Sequence, residues 1–157
     1  MAVFETETVL HCSPEAAFEF LARPENWNRV TDPSVGVELV DAPERLSEGA
    51  RLRLHVSGFG PSQELVHEIL AFEPPYRFVE CQVNGPFSSW VHEHRFEANG
   101  DGTVRLIDRV EFEPPRGLLG LLLTEDRIRR TLESSFSYRE RELRRFLEPG
   151  TESPAGA

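Results

Sequence analysis

The chain has 157 residues, 39% hydrophobic and 28% charged, with a formal net charge of −10; this is the composition of one globular domain large enough to bury a core. The acidic balance excludes a nucleic-acid footprint and adhesion to anionic membranes, both of which need clustered basic residues. All 17 basic residues are arginine, which removes P-loop and Schiff-base chemistry, since both need a lysine amine.

The opening MAVFETETVL has neither a basic n-region nor a long apolar h-region, so no signal peptide is expected. Val3 to His11 reads as a strand, with Thr6, Thr8 and Val9 favouring extended backbone. Ser13 and Pro14 then start a short helix whose stripe is Ala17, Phe18 and Leu21, and Pro24 stops it. A second short helix is predicted over Glu25 to Val30, followed by a turn at 31–34. Strands are predicted over Val35–Val40, Ala50–Ser57, Gln63–Phe72, Tyr76–Val83, Phe87–Ala98 and Thr103–Glu113. Turn-rich segments separate them, including Asn84-Gly85-Pro86 and Asn99-Gly100-Asp101-Gly102.

From about Leu118 to Leu147 the period becomes helical, with Ile128, Leu132, Phe136, Leu143, Phe146 and Leu147 on one stripe. A single helix of ~30 residues would be about 45 Å long. The leucine-rich run 118–123 is far too short to span a bilayer. Residues 148–157 read as a disordered tail after a domain of residues 1–147. Cys12 and Cys81 do not have chelating or redox spacing. Buried reduced thiols and a cytoplasmic location are expected, with a disulfide left open by the sequence. Consecutive hairpin-linked strands and one amphipathic helix define an α+β fold, a curved antiparallel sheet of about seven strands packed on the helix. The space between sheet and helix is the expected ligand site.

Several segments then occur in a telling order. They are Pro14-Glu15-Ala16-Ala17-Phe18-Glu19-Phe20, Trp27 to Pro33, and Phe72-Glu73-Pro74-Pro75. The most specific runs from Gly85 to Phe96, GPFSSWVHEHRF, and Asp108, Pro115-Arg116-Gly117 and Phe136-Ser137-Tyr138-Arg139 continue the set. Over roughly residues 2–147 the chain resembles the START-like or SRPBCC superfamily, which includes birch-pollen-allergen-like proteins and polyketide cyclases. It looks closest to a bacterial branch of ligand-binding SRPBCC proteins. The resemblance implies a helix-grip fold with a cavity for small hydrophobic ligands, and leaves the ligand itself open.

Strand alternation puts Trp90, His92, His94 and Phe96 on one face and Val91, Glu93, Arg95 and Glu97 on the other. On the next strand Val104, Leu106, Asp108, Val110 and Phe112 share a face, bringing Asp108 opposite His92, or His94 if the turn is longer. A buried carboxylate needs a partner, so a cross-strand His–Asp contact is predicted. The phase of the preceding strand is open in the residues alone. The resemblance favours Phe78, Glu80 and Gln82 pointing inward and Cys81 outward. Arg139 lies beside the helix stripe, in reach of Asp108 or Glu80, and His67 shares the phase of Leu65 and Ile69.

His-x-His on a strand is a chelating geometry, with Asp108 or Glu80 as a conceivable third ligand. Glu97, however, falls on the opposite face and no second histidine motif follows, so neither metal nor cofactor is expected. No Gly-x-Ser-x-Gly elbow or glycine-rich phosphate loop is present. The expected function is therefore binding of a small, mostly hydrophobic ligand, without nucleic-acid or membrane partners, as a monomer or dimer. Trp90, Phe96, Phe78, Leu106 and Phe136 would give apolar contact, and His92, His94, Asp108, Glu80 and Arg139 would orient polar groups. One alternative is a cyclase, dehydratase or isomerase using the His–Asp patch in acid/base work. Another is a regulatory or interaction module with a filled cavity.

Overall fold

The computed structural model describes residues 1–58 and 61–150. The strands are β1 (Ala2–Leu10), β2 (Val37–Asp41), β3 (Arg51–Val56), β4 (Gln63–Glu73), β5 (Arg77–Asn84), β6 (Ser89–Ala98) and β7 (Val104–Glu113). They form one antiparallel sheet in the order β1-β7-β6-β5-β4-β3-β2. Strands β2 to β7 are thus a run of neighbours, and β1 returns to pair with β7, from Ala2 opposite Phe112 to Leu10 opposite Val104. Register shifts interrupt the β2/β3 and β4/β5 ladders; such irregularities bend a strand and sharpen its twist, which curves the sheet. The β6–β7 connection turns on Gly100 and Gly102, whose positive φ of 79° and 85° side chains rarely adopt.

Helix α1 (Pro14–Leu21) begins where predicted: Ser13 Oγ accepts from the Ala16 amide at 3.1 Å, and Pro14 occupies the first turn. It buries Ala17, Phe18 and Leu21. A 3₁₀ turn at Pro24–Asn26 leads into the short α2 (Trp27–Val30). This turn is fixed from inside, because Asn26 Nδ2 donates to Phe20 O and Trp27 Nε1 to Leu21 O, each at 2.8 Å. The strand predicted from Val35 starts two residues later. Asp32 Oδ1 accepts from the Ser34 amide at 2.9 Å, winding Pro33–Val35 into a further 3₁₀ turn that ends at Gly36.

The C-terminal helix is not continuous. Helix α3 (Gly117–Leu122) ends at Leu123, and α4 (Glu125–Leu147) starts afresh. Thr124 Oγ1 accepts from the Arg127 amide at 3.3 Å, and Glu125 and Asp126 suit the positive helix start. The 23 residues of α4 span about 35 Å, still enough to cross the sheet. Thr124→Ala should cost about 1 kcal/mol, the usual loss for a missing cap, read as a lower denaturant midpoint. An unchanged midpoint would mean that Leu123, buried beside Phe4, Val110, Phe112, Ile128 and Leu132, holds the break without the cap.

Three apolar clusters surround the concave face. One lies under α1, with Phe18, Phe78, Phe96 and Leu106; one under the first half of α4; and one at Leu54, Val56 and Leu65 on β3 and β4. Cys12 and Cys81 are free thiols, each half-buried. Among the described residues no helix is long and apolar enough to cross a membrane. Of the expected tail, Glu148 is anchored, accepting from the His11 amide at 3.3 Å; residues 151–157 lie outside the described residues.

Candidate ligand cavity

Between sheet and α4 lies a cavity of about 210 Å³. Its wall is mostly apolar, with Leu21, Trp27, Val30, Val35, Val37, Leu54, Val56, Leu65, Phe87, Trp90, Leu132 and Phe136. His67, Glu80, His92, His94 and Arg139 make one polar region, and Thr131 and Ser135 add hydroxyls from α4. A shallower cleft lined by Asp32, Ser34, Arg127, Arg130 and Ser134 shares Val35 and Thr131 with it. The volume is below the ~300–1,000 Å³ of pockets for drug-sized ligands.

The polar region is built by register. Glu80 on β5 stands opposite His92 on β6, Phe78 opposite His94, and His94 opposite Asp108 on β7. All four polar groups are buried. His92 Nε2 lies 2.8 Å from Asp108 Oδ1 and its Nδ1 lies 3.3 Å from Glu80 Oε1. His94 repeats the bridge with its ring reversed: Nδ1 is 3.0 Å from Asp108 Oδ1 and Nε2 is 3.4 Å from Glu80 Oε1. The rings stack, with centroids 3.7 Å apart between the two histidines and 4.2 Å apart between His94 and Phe78. Arg139 reaches from α4 to put Nη1 3.2 Å from Asp108 Oδ1 and Nη2 3.4 Å from His94 Nδ1. His67 Nδ1 meets the other Glu80 oxygen, Oε2, at 3.2 Å.

Burial alone would raise both carboxyls and lower both imidazoles. Burial opposes ionisation of Asp108, but Arg139 and the two histidines outweigh it and hold the carboxyl well below its ordinary value. Burial opposes ionisation of Glu80 too, and hydrogen bonds to His67, His92 and His94 bring it well below. At His92 burial pushes downward, yet Asp108 and Glu80 carry the imidazole above its ordinary value. At His94 burial pushes the same way, and the charge on His92 adds to it, so the imidazole stays below. Arg139 and the histidines thus face the two carboxyls directly, and such pairing is the condition under which buried charge is tolerable. Glu80, His92 and His94 each present a donor atom within 4.8 Å of the others, so this trio could hold a metal ion.

Of the residues singled out in the sequence, Trp90, His92, His94, Glu80, Phe136 and Arg139 line the cavity. Asp108 stands behind the histidines. Phe78, Phe96 and Leu106, expected to contact ligand, lie in the packed core under α1 instead. They share the inward face, but sit where α1 covers the sheet. The opposite wall comes from β3, β4 and the 27–37 segment, where the Leu52-Leu54-Val56 and Leu65-His67-Ile69 alternations mark the inward face.

A curved antiparallel sheet gripping one long helix, with a cavity between, is the helix-grip architecture. Residues 1–146 match the family model described as polyketide cyclase / dehydrase and lipid transport, and the chain belongs to that family, which is of the SRPBCC type. Its fold is shared by TTHA0849 from Thermus thermophilus, at 17% identity and TM-score 0.66, covering 90% of this chain and 97% of that one. Ara h 8.0201 aligns at 15% identity and TM-score 0.60, covering 92% and 96%. The di-domain ARO/CYC protein BexL from the BE-7585A biosynthetic pathway aligns at 17% identity and TM-score 0.66, covering 91% of this chain and 46% of BexL. No curated protein matches the chain in sequence.

Proposed function

We propose that the cavity binds a small, mostly apolar molecule carrying one or two polar groups. The observation that carries this reading is the asymmetry of the wall, mostly apolar with its ionisable side chains His67, Glu80, His92, His94 and Arg139 gathered in one cluster. An apolar body would rest on Leu54, Val56, Leu65 and Trp90. Its polar group would meet the cluster, where Arg139 Nε is buried with no hydrogen-bond partner among the described residues. The family description, which names lipid transport beside cyclase chemistry, is compatible with this. Native mass spectrometry of the chain purified from cells should find a co-purified small molecule. Leu65→Trp, which fills the cavity, should exclude it while the chain stays folded. A wild-type chain that is always bare, together with a Leu65→Trp chain that melts higher, would favour a filled-core interaction module.

A second reading is acid/base catalysis in the same cavity, favoured by the four imidazole and carboxyl side chains, His67, Glu80, His92 and His94, that line it. BexL, described as a di-domain ARO/CYC protein, shares the fold. A flat turnover profile between about pH 5 and 8 would count against this reading, because imidazole titrates in that range.

A further inference from the structure

We propose that Glu80, His92 and His94 form a site for one divalent first-row transition ion of zinc-like preference, open to the cavity. The donors are Glu80 Oε1, His92 Nδ1 and His94 Nε2. Glu80 Oε1 stands 3.3 Å from His92 Nδ1 and 3.4 Å from His94 Nε2. Charge-assisted hydrogen bonds are shorter, about 2.7–2.9 Å. Donors about 2.0–2.1 Å from a tetrahedral ion, by contrast, lie about 3.3–3.5 Å apart. Both separations from Glu80 therefore suit co-ligation better than direct pairing.

The atoms on the far side of each ligand complete the argument. Ligating histidines usually give their remaining N–H to a carboxylate, which fixes ring orientation. Asp108 Oδ1 is placed to receive both, at 2.8 Å from His92 Nε2 and 3.0 Å from His94 Nδ1. His67 holds the second oxygen of Glu80 at 3.2 Å, leaving Oε1 for the ion. Arg139 decides which side the ion takes. Its guanidinium lies 3.2 Å from Asp108 and repels a cation there, while no arginine pairs with Glu80 among the described residues. The Glu80 side is also the one that lines the cavity. Three protein ligands leave a fourth position for water or a cavity ligand. Two nitrogens and one oxygen suit zinc, cobalt or ferrous iron, and not calcium or magnesium, which take oxygen.

The test uses the full chain stripped with chelator and then titrated with Zn²⁺ by calorimetry and with Co²⁺ by visible absorption. No organic molecule is added, so failure here leaves the cavity-ligand reading untouched, and a bare cavity leaves this site untouched. One ion per chain is expected, and Co²⁺ should give the intense d–d bands of a four- or five-coordinate site. Glu80→Gln should abolish stoichiometric uptake, and Asp108→Asn should weaken it about 10–100-fold with stoichiometry kept. No uptake by the wild type, a weak octahedral Co²⁺ spectrum, or equal uptake after Glu80→Gln would each overturn the assignment. The wild-type spectrum decides even where a variant fails to fold.

Discussion

Asp108→Ala is expected to destabilise the fold by about 3–5 kcal/mol, the loss typical when one member of a buried charge pair is removed. Asp108 Oδ1 is the shared acceptor of His92 Nε2, His94 Nδ1 and Arg139 Nη1, at 2.8, 3.0 and 3.2 Å. Without it the Arg139 guanidinium stays in the interior with its carboxylate partner gone. At ~2–4 °C per kcal/mol for a chain of this size, the melting temperature should fall by roughly 10 °C. Asp108→Asn, which keeps an acceptor and the shape, should lose less. A loss below about 1 kcal/mol for the alanine variant would show that solvent reaches the cluster and screens it.

The same cluster sets the pH dependence of the metal-free chain. Asp108 and Glu80 titrate below their ordinary 3.8 and 4.5 when folded, so their stabilisation is present above those values and is lost as pH falls through the folded ones. His92 is raised above 6.5, and its contribution fades as pH rises through the folded value. His94 is lowered below 6.5, and its contribution fades as pH drops toward the folded value. The two imidazoles therefore place the cluster's greatest stability near 6.5, and Asp108→Ala should flatten the alkaline side, because Asp108 is the first of the groups that raise His92. Thermal melts across the acidic and neutral range read this directly.

Phe18→Ala should cost about 3–5 kcal/mol, for a different reason. Phe18 is 1% exposed, and its ring centroid lies 5.3, 5.8 and 5.1 Å from those of Phe72, Phe78 and Phe96. It is the plug that α1 drives into one end of the curved sheet. Truncation leaves a void bounded by rigid strands that cannot close over it. Denaturant unfolding should show a lower midpoint with an unchanged slope. A loss near 1 kcal/mol would mean that α1 shifts to refill the space.

The sheet is legible in the sequence because each turn carries its own chemistry and each strand its own period. The His–Asp contact follows from alternation and hairpin pairing together, and the turn length decides that His94 rather than His92 stands opposite Asp108. Alternation gives the face but not the depth along it, so it groups Phe78, Phe96 and Leu106 with the histidines although α1 covers them. The break before α4 is hidden by Leu118–Leu123, whose apolar run joins the helical stripe without a gap. The signal is nonetheless there: Thr124-Glu125-Asp126 has the cap and acidic first turn of a fresh helix. The cavity cannot be read at all, because it is a volume that side chains fail to fill. It depends on where β3, β4 and the 27–37 segment come to rest.

The pairing of β1 with β7 has a consequence for synthesis. Ala2 meets Phe112 and Leu10 meets Val104, so β1 leaves the ribosome with no β7 to pair with until more than ninety further residues have followed. Meanwhile Val3 and Val9 stand among its outward residues, on a strand whose backbone is unsatisfied. Closure of so long a loop must precede its reward. The waiting strand is thus a segment on which a nascent-chain chaperone could act, and its capture by β7 is the event that ends that exposure.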